Sequence, residues 1–139
     1  MILDAYSRAV RGFALSRSLS QDLTLNVLRM ALAKGKSIIF HPDQGRQYSA
    51  GLHIDRLNEA GIRISMSDKG KPTQNGIAER FMRTLKEQHV DYADFPDVQR
   101  QIAYWLAVEY NTQRIHSSLD YATPAEFETA THTNSSLSN

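Results

Sequence analysis

Cysteine is absent from the 139 residues, which excludes a disulfide framework and any thiolate metal site. That absence agrees with a cytoplasmic location. Long apolar runs are missing too. No stretch approaches the ~20 residues needed to cross a bilayer. Met1-Ile2-Leu3 is too short for a secretion signal and is interrupted at once by Asp4. No membrane partner is therefore expected. Nor is there an excess of either charge. Sixteen basic and 15 acidic side chains leave a net +1, so the whole chain exerts little pull on a polyanion. What remains is an ordinary globular composition, 41% hydrophobic and 22% charged, in a length that fits one domain with a moderate core.

Charge distribution says more than its sum. Lys69, Lys71, Arg80, Arg83 and Lys86 fall within 18 residues, and Glu87, Asp91, Asp94 and Asp97 follow them. A local basic patch of this kind can grip phosphates on a nearly neutral chain. A solvated helix face with mixed charges is the alternative.

Element signals run the length of the chain. Met1 to Leu3 reads as the end of a buried strand, Asp4 to Arg8 as a turn, and Ala9 to Leu15 as a second strand forming a hairpin with the first. Ser20 is a helix cap for Gln21 to Lys34, where Leu25, Leu28, Met30, Ala31 and Leu32 recur at helical spacing before Gly35. Ser37 to Phe40 is a short apolar strand. Ser49 caps a helix over about residues 50–60, which Gly61 ends, and Ile62 to Met66 alternates like a strand. A polar loop from Ser67 to Asn75 leads to a helix from Gly76 to about His89. A longer helix is expected from Pro96 to Tyr110, with Trp105 and Tyr104 in its packed face. Thr123-Pro124-Ala125-Glu126 is a capping box with proline at the first helical position. Residues 129–139, rich in Thr, Ser and Asn, are expected to fray as a disordered tail. This order predicts an α/β domain with a mixed sheet over residues 1–128.

Asp43 follows the strand ending at Phe40, at the edge where α/β proteins place their chemistry. Glu79 lies in the first turn of the helix starting at Gly76, thirty-five residues further on. That interval has room for a helix, a strand and a loop that return to the same place. Two converging carboxylates suit Mg²⁺ or Mn²⁺. At ~100° per residue, Ile77, Ala78, Phe81, Met82 and Leu85 fill one arc, expected to face the core. Glu79, Arg83 and Lys86 share the opposite stripe, where a carboxylate could hold a metal and two cations a phosphate backbone. An intrahelical Glu79–Arg83 ion pair is the simpler reading of the same spacing.

The wording of the motifs adds to their spacing. Asp4-Ala5-Tyr6-Ser7-Arg8, His41 through Tyr48, Ser65 through Pro72, Asn75 through Phe81, Leu85-Lys86-Glu87, Tyr110 through His116 and Leu119 through Pro124 occur in order. Together they resemble the integrase core of bacterial insertion-sequence transposases, a group related to retroviral integrases, over about residues 1–128. The resemblance implies a ribonuclease-H-like fold and a bacterial, cytoplasmic protein acting on transposon ends and target DNA. It implies strand cleavage and strand transfer with two divalent ions. Asp43 matches the family's second carboxylate and Glu79 its third. Lys69, Lys71, Arg83, Lys86, Asn111, Arg114 and His116 become the expected DNA contacts, although Asn111, Arg114 and His116 are equally suited to bracing a loop. His41 and His116 have no Cys or His partner that would suggest zinc, so structural hydrogen bonds are expected of them.

By the same resemblance, the family's first carboxylate lies on an earlier, central strand in a Trp-x-x-Asp-type segment, which a chain starting at Met1 does not contain. Asp4 matches a different family Asp, with capping of the turn or pairing with Arg8 as its expected role and a place in the metal site as the alternative. The chain alone is therefore expected to hold metal weakly, if at all, and to be inactive. An unpaired edge beside the strand ending at Asp43 leads to an expected homo-oligomer, in which a second copy supplies a strand. Two other readings compete: a non-catalytic remnant that oligomerises and binds DNA weakly, and a different ribonuclease-H-like nuclease.

Overall fold

The computed structural model describes residues 1–18, 20–35, 39–42, 51–65, 76–88 and 94–136. Strand β1 (Ile2–Leu3) pairs antiparallel with β2 (Val10–Gly12). Helix α1 (Gln21–Ala33) follows, then β3 (Ile39–Phe40), α2 (Gly51–Glu59) and β4 (Arg63–Ile64), with β3 and β4 parallel. Helix α3 (Gly76–Gln88) leads to α4 (Phe95–Tyr104), which continues through a π-helical segment (Trp105–Glu109) into α5 (Tyr110–Thr112). A 3₁₀ turn (Ser117–Leu119) and α6 (Pro124–Ser136) complete the chain. The described strands thus form two pairs, an α/β arrangement compatible with a ribonuclease-H-like core.

A β-bulge organises the two faces of the first pair. Ile2 lies opposite Gly12 and Leu3 opposite Val10, so one step on β1 matches two on β2 and Arg11 is the extra residue. The bulge reverses the alternation of β2. Leu3 and Val10 join one apolar cluster with Phe81, Ile102, Trp105, Leu106 and Tyr110, whereas Ile2 joins a second with Leu28, Leu57 and Ile62. Gly12 faces α1 so closely that a Cβ there would collide with the Val27 carbonyl. Helices α3 to α5 therefore cover one face and α1 and α2 the other.

Local signals set several boundaries as the sequence indicates. The Ser20 hydroxyl accepts from the Leu23 amide at 3.2 Å, capping α1. Gly61 adopts φ 71°, and the Gly61 and Ile62 amides donate to Asn58 and Leu57, closing α2 with a Schellman turn. The capping box also forms, with the Thr123 amide donating to Glu126 at 2.8 Å and the Glu126 amide to the Thr123 hydroxyl at 3.3 Å.

Three expectations change. The long helix is not uniform: the Tyr110 amide donates to the Trp105 carbonyl, five residues back. In an α-helix, residues five apart point in well-separated directions; the π turn brings Trp105 and Tyr110 together, with ring centroids 5.2 Å apart. Tyr104, expected in the packed face, is 54% exposed, while Trp105 is buried. Helix α6 also continues through residues 129–136, where the composition suggests fraying. Thr129, Thr131 and Thr133 return their hydroxyls to carbonyls four residues earlier, which keeps them compatible with the helix.

Candidate metal and nucleic-acid site

Phe81 anchors α3. It is buried against Tyr110 at 4.9 Å and Trp105 at 6.1 Å between ring centroids, and this contact fixes the rotation of the helix. Glu79, two residues earlier, is consequently exposed, as are Arg83 and Lys86 on the same stripe. No ion pair joins Glu79 to Arg83 among the described residues, so the simpler intrahelical reading of this spacing is not realised. The core-facing arc is narrower than its apolar residues imply. Phe81 is buried and Leu85 packs with it, but Ile77 and Met82 are 39% and 42% exposed. At ~100° per residue Met82 borders the charged stripe, whereas Ile77 lies on the far side of the apolar arc.

The strand leading towards Asp43 is tied down. β3 ends at Phe40, whose carbonyl accepts from the Ser65 amide at 2.9 Å, and His41 Nδ1 lies 3.2 Å from the Ser65 hydroxyl. His41 thus has the structural contact expected of it. Pro42 is buried next to it. The chain therefore approaches residue 43 from the carboxyl edge of a parallel pair, a usual location for ligand chemistry. Asp43, Lys69 and Lys71 lie outside the described residues. Among the described residues no three His, Cys, Asp or Glu side chains gather as a metal cluster. Glu79 offers a hard oxygen donor suited to Mg²⁺ or Mn²⁺, and its exposure leaves it accessible.

Asp4 is engaged elsewhere. Its Oδ1 accepts from the Tyr6 and Ser7 amides at 2.8 and 3.2 Å, and its Oδ2 meets the bulged Arg11 at 3.1 Å. It caps its turn as expected, but its cation is Arg11 and not Arg8. Arg11 also meets Glu128 at 2.6 Å, and Glu128 accepts from the Ser7 hydroxyl at 2.6 Å. This network fastens α6 to the hairpin.

Asn111 faces inward. Its Oδ1 accepts from the Val10 amide at 2.9 Å and its Nδ2 donates to the Val10 carbonyl at 3.3 Å, so the side chain pairs with β2 as another strand would. His116 packs edge-on against Tyr110 at 5.3 Å, and its backbone bridges to Ala122. Burial first, then the guanidiniums of Arg114 and Arg8, push its pKa below the ordinary histidine value. Burial raises the Tyr110 hydroxyl while the same two arginines oppose the rise. Arg114 is half-buried beside them. The signals for Arg8 and Arg11 were missed in the sequence because bulge register and a left-handed backbone leave little trace there.

Residues 1–72 and residues 60–124 each match a model of the integrase core domain. The chain belongs to the integrase core domain family. Its relatives include the transposase for insertion sequence element IS904 of Lactococcus lactis, 33% identical over 132 residues, which cover 91% of this chain and 52% of that protein. Transposase InsF for insertion sequence IS3A of Escherichia coli is 31% identical over 134 residues, covering 92% of this chain and 46% of that protein. This integrase core thus spans about half the length of the curated relatives it matches. No helix among its described residues is long and apolar enough to cross a membrane.

Proposed function

We propose that this integrase core serves DNA transposition, with Asp43 and Glu79 as two ligands of a two-metal site for strand cleavage and strand transfer. The observation that carries this reading is Glu79, exposed in the first turn of α3, unpaired with Arg83 and aligned with Arg83 and Lys86. The tethered approach to residue 43 and the transposase relatives support it. When bound, two divalent ions would activate the attacking oxygen and stabilise the leaving one. Glu79 would hold metal, while Arg83 and Lys86, with Lys69 and Lys71, would position the phosphate backbone.

Residues 1–139 by themselves supply two of the three carboxylates that the resemblance implies, and both oxygens of Asp4 are committed to its turn and to Arg11. We therefore expect no Mg²⁺- or Mn²⁺-dependent nicking or strand transfer by this polypeptide alone. A plasmid-nicking assay tests this. Specific cleavage that disappears with Asp43→Asn or Glu79→Gln would overturn the expected inactivity while supporting the site. Assembly belongs to the same proposal. Ile39 on β3 is 48% exposed. A second copy seated against this side chain would cover it, as expected of the homo-oligomer.

A further inference from the structure

Three non-glycine residues among those described adopt a left-handed backbone: Arg8 at φ 63°, Asp120 at 53° and Tyr121 at 62°. They meet in one place. Arg8 Nε donates to the Ser118 hydroxyl at 3.3 Å, which lays the loop after β1 against the turn that carries Asp120 and Tyr121. Tyr6 from that loop contacts Phe127 of α6 edge-on at 5.1 Å. A left-handed conformation is costly for a bulky residue, and Gly or Asn would fill such a turn with less strain. Here the strained positions carry a guanidinium and an aromatic ring. Tyr121 is 70% exposed, Tyr6 68% and Ile115 59%, so this corner presents two rings and an aliphatic side chain to solvent.

The charge of the corner fits one kind of occupant. Arg8 and Arg114 both lie near enough to Tyr110 and His116 to act on their protonation, and the turn from His116 to Ala122 carries one carboxylate, the exposed Asp120. Asp4 and Glu128 are held by Arg11, and the Glu126 carboxylate is taken up by Thr123 in the capping box. Two cations beside two exposed rings are the combination that holds an unpaired nucleic-acid strand, with phosphates on guanidiniums and bases stacked on aromatics. We infer that the corner formed by Tyr6, Arg8, Arg114 and Tyr121 binds an unpaired segment of DNA, with Tyr121 as the stacking platform. Its residues come from the loop after β1 and the segment after α5, whereas Glu79 lies on α3. The inference rests on the DNA-processing reading above and adds to it the strand form that this second surface takes.

Fluorescence anisotropy with a labelled single-stranded oligonucleotide and its matched duplex tests this on the full 139-residue chain. Tyr121→Asn keeps a residue that tolerates the left-handed turn while removing the ring. It is expected to weaken single-strand binding by about tenfold, the scale of one lost base stack. Tyr121→Phe should retain binding. Arg8→Asn and Arg114→Gln should each reduce the salt dependence, lowering the slope of log affinity against log salt by about 0.7. Wild-type binding by Tyr121→Asn, with binding lost in Arg83→Gln and Lys86→Gln, would overturn the inference and leave the DNA-processing reading standing. Equal loss in Tyr121→Phe and Tyr121→Asn would overturn the stacking role. Dissociation of an oligomer by Tyr121→Asn with DNA affinity unchanged would reassign the corner to contact between copies. Failure of the wild-type chain to bind either oligonucleotide would remove the DNA-processing reading itself.

Discussion

Gly12 shows how one residue sets the distance between two elements. Helix α1 approaches β2 so closely that only a residue without a Cβ fits beneath the Val27 carbonyl. Gly12→Ala must push helix and strand apart, and a cost of about 1–3 kcal/mol is expected for such overpacking; chemical denaturation reads it directly. Asn111 acts differently, supplying both a donor and an acceptor to Val10. Asn111→Asp keeps the acceptor and places a charge beside the Val10 carbonyl, so it should destabilise the fold at least as much as Asn111→Ala. The reverse order in thermal unfolding would show that the retained acceptor bond to the Val10 amide outweighs the repulsion at its carbonyl. Neither role was legible in the sequence. Gly12 sits in a run that reads as an ordinary strand, and Asn111 suits a DNA contact and a loop brace equally until its partner is seen.

Elements were more legible than residues where the signal was local. Ser20, Gly61 and the pair Thr123–Glu126 mark helix ends through hydrogen bonds that span only a few positions, and the structure contains all of them. Thr123→Ala removes the buried cap hydroxyl of α6 and should cost about 1 kcal/mol, observed as loss of helical signal at a lower temperature. Hydrogen bonds from Thr123 hold the Glu126 carboxyl below the usual carboxylate range. Its contribution is therefore present above that range and is lost as the pH falls through the lowered value. Periodicity was less informative. It identified α3 and its exposed charged stripe but assigned Ile77 and Met82 to the core, because an apolar arc does not reveal how wide a surface its neighbours cover. It also missed the π turn, whose five-residue hydrogen bond depends on the packing of Trp105, Tyr110 and Phe81.

For the whole molecule, stability should depend on pH through a buried histidine and a half-buried one, on the two sides of the fold. Burial lowers the pKa of His53, on α2 against Phe40, and of His116, against Tyr110. On acidification the unfolded chain takes up these protons first, so stability should fall as the pH drops through about 6.5. The loss should level off once the folded-state values are passed. Urea titrations at pH 7.5 and 5.5, conditions chosen on either side of that ~6.5 midpoint, should give the lower midpoint at the acidic value. Substituting His116 by Phe should reduce that difference. Assembly is the second property at this scale. Size-exclusion chromatography with light scattering should find a dimer or larger species, and a monomer of 15.7 kDa would contradict strand exchange between copies.

The family, the mixed α/β character and the exposed position of Glu79 were all legible in ordered motifs and spacing. The meeting of Asp43 with Glu79 remains the central claim. Mn²⁺ binding followed by electron paramagnetic resonance tests it most directly, because it needs no catalytic turnover. The account predicts weak binding of a single ion by the wild-type chain, lost equally in Asp43→Asn and Glu79→Gln and retained in Asp4→Asn. Mn²⁺ binding that survives Glu79→Gln unchanged would contradict it.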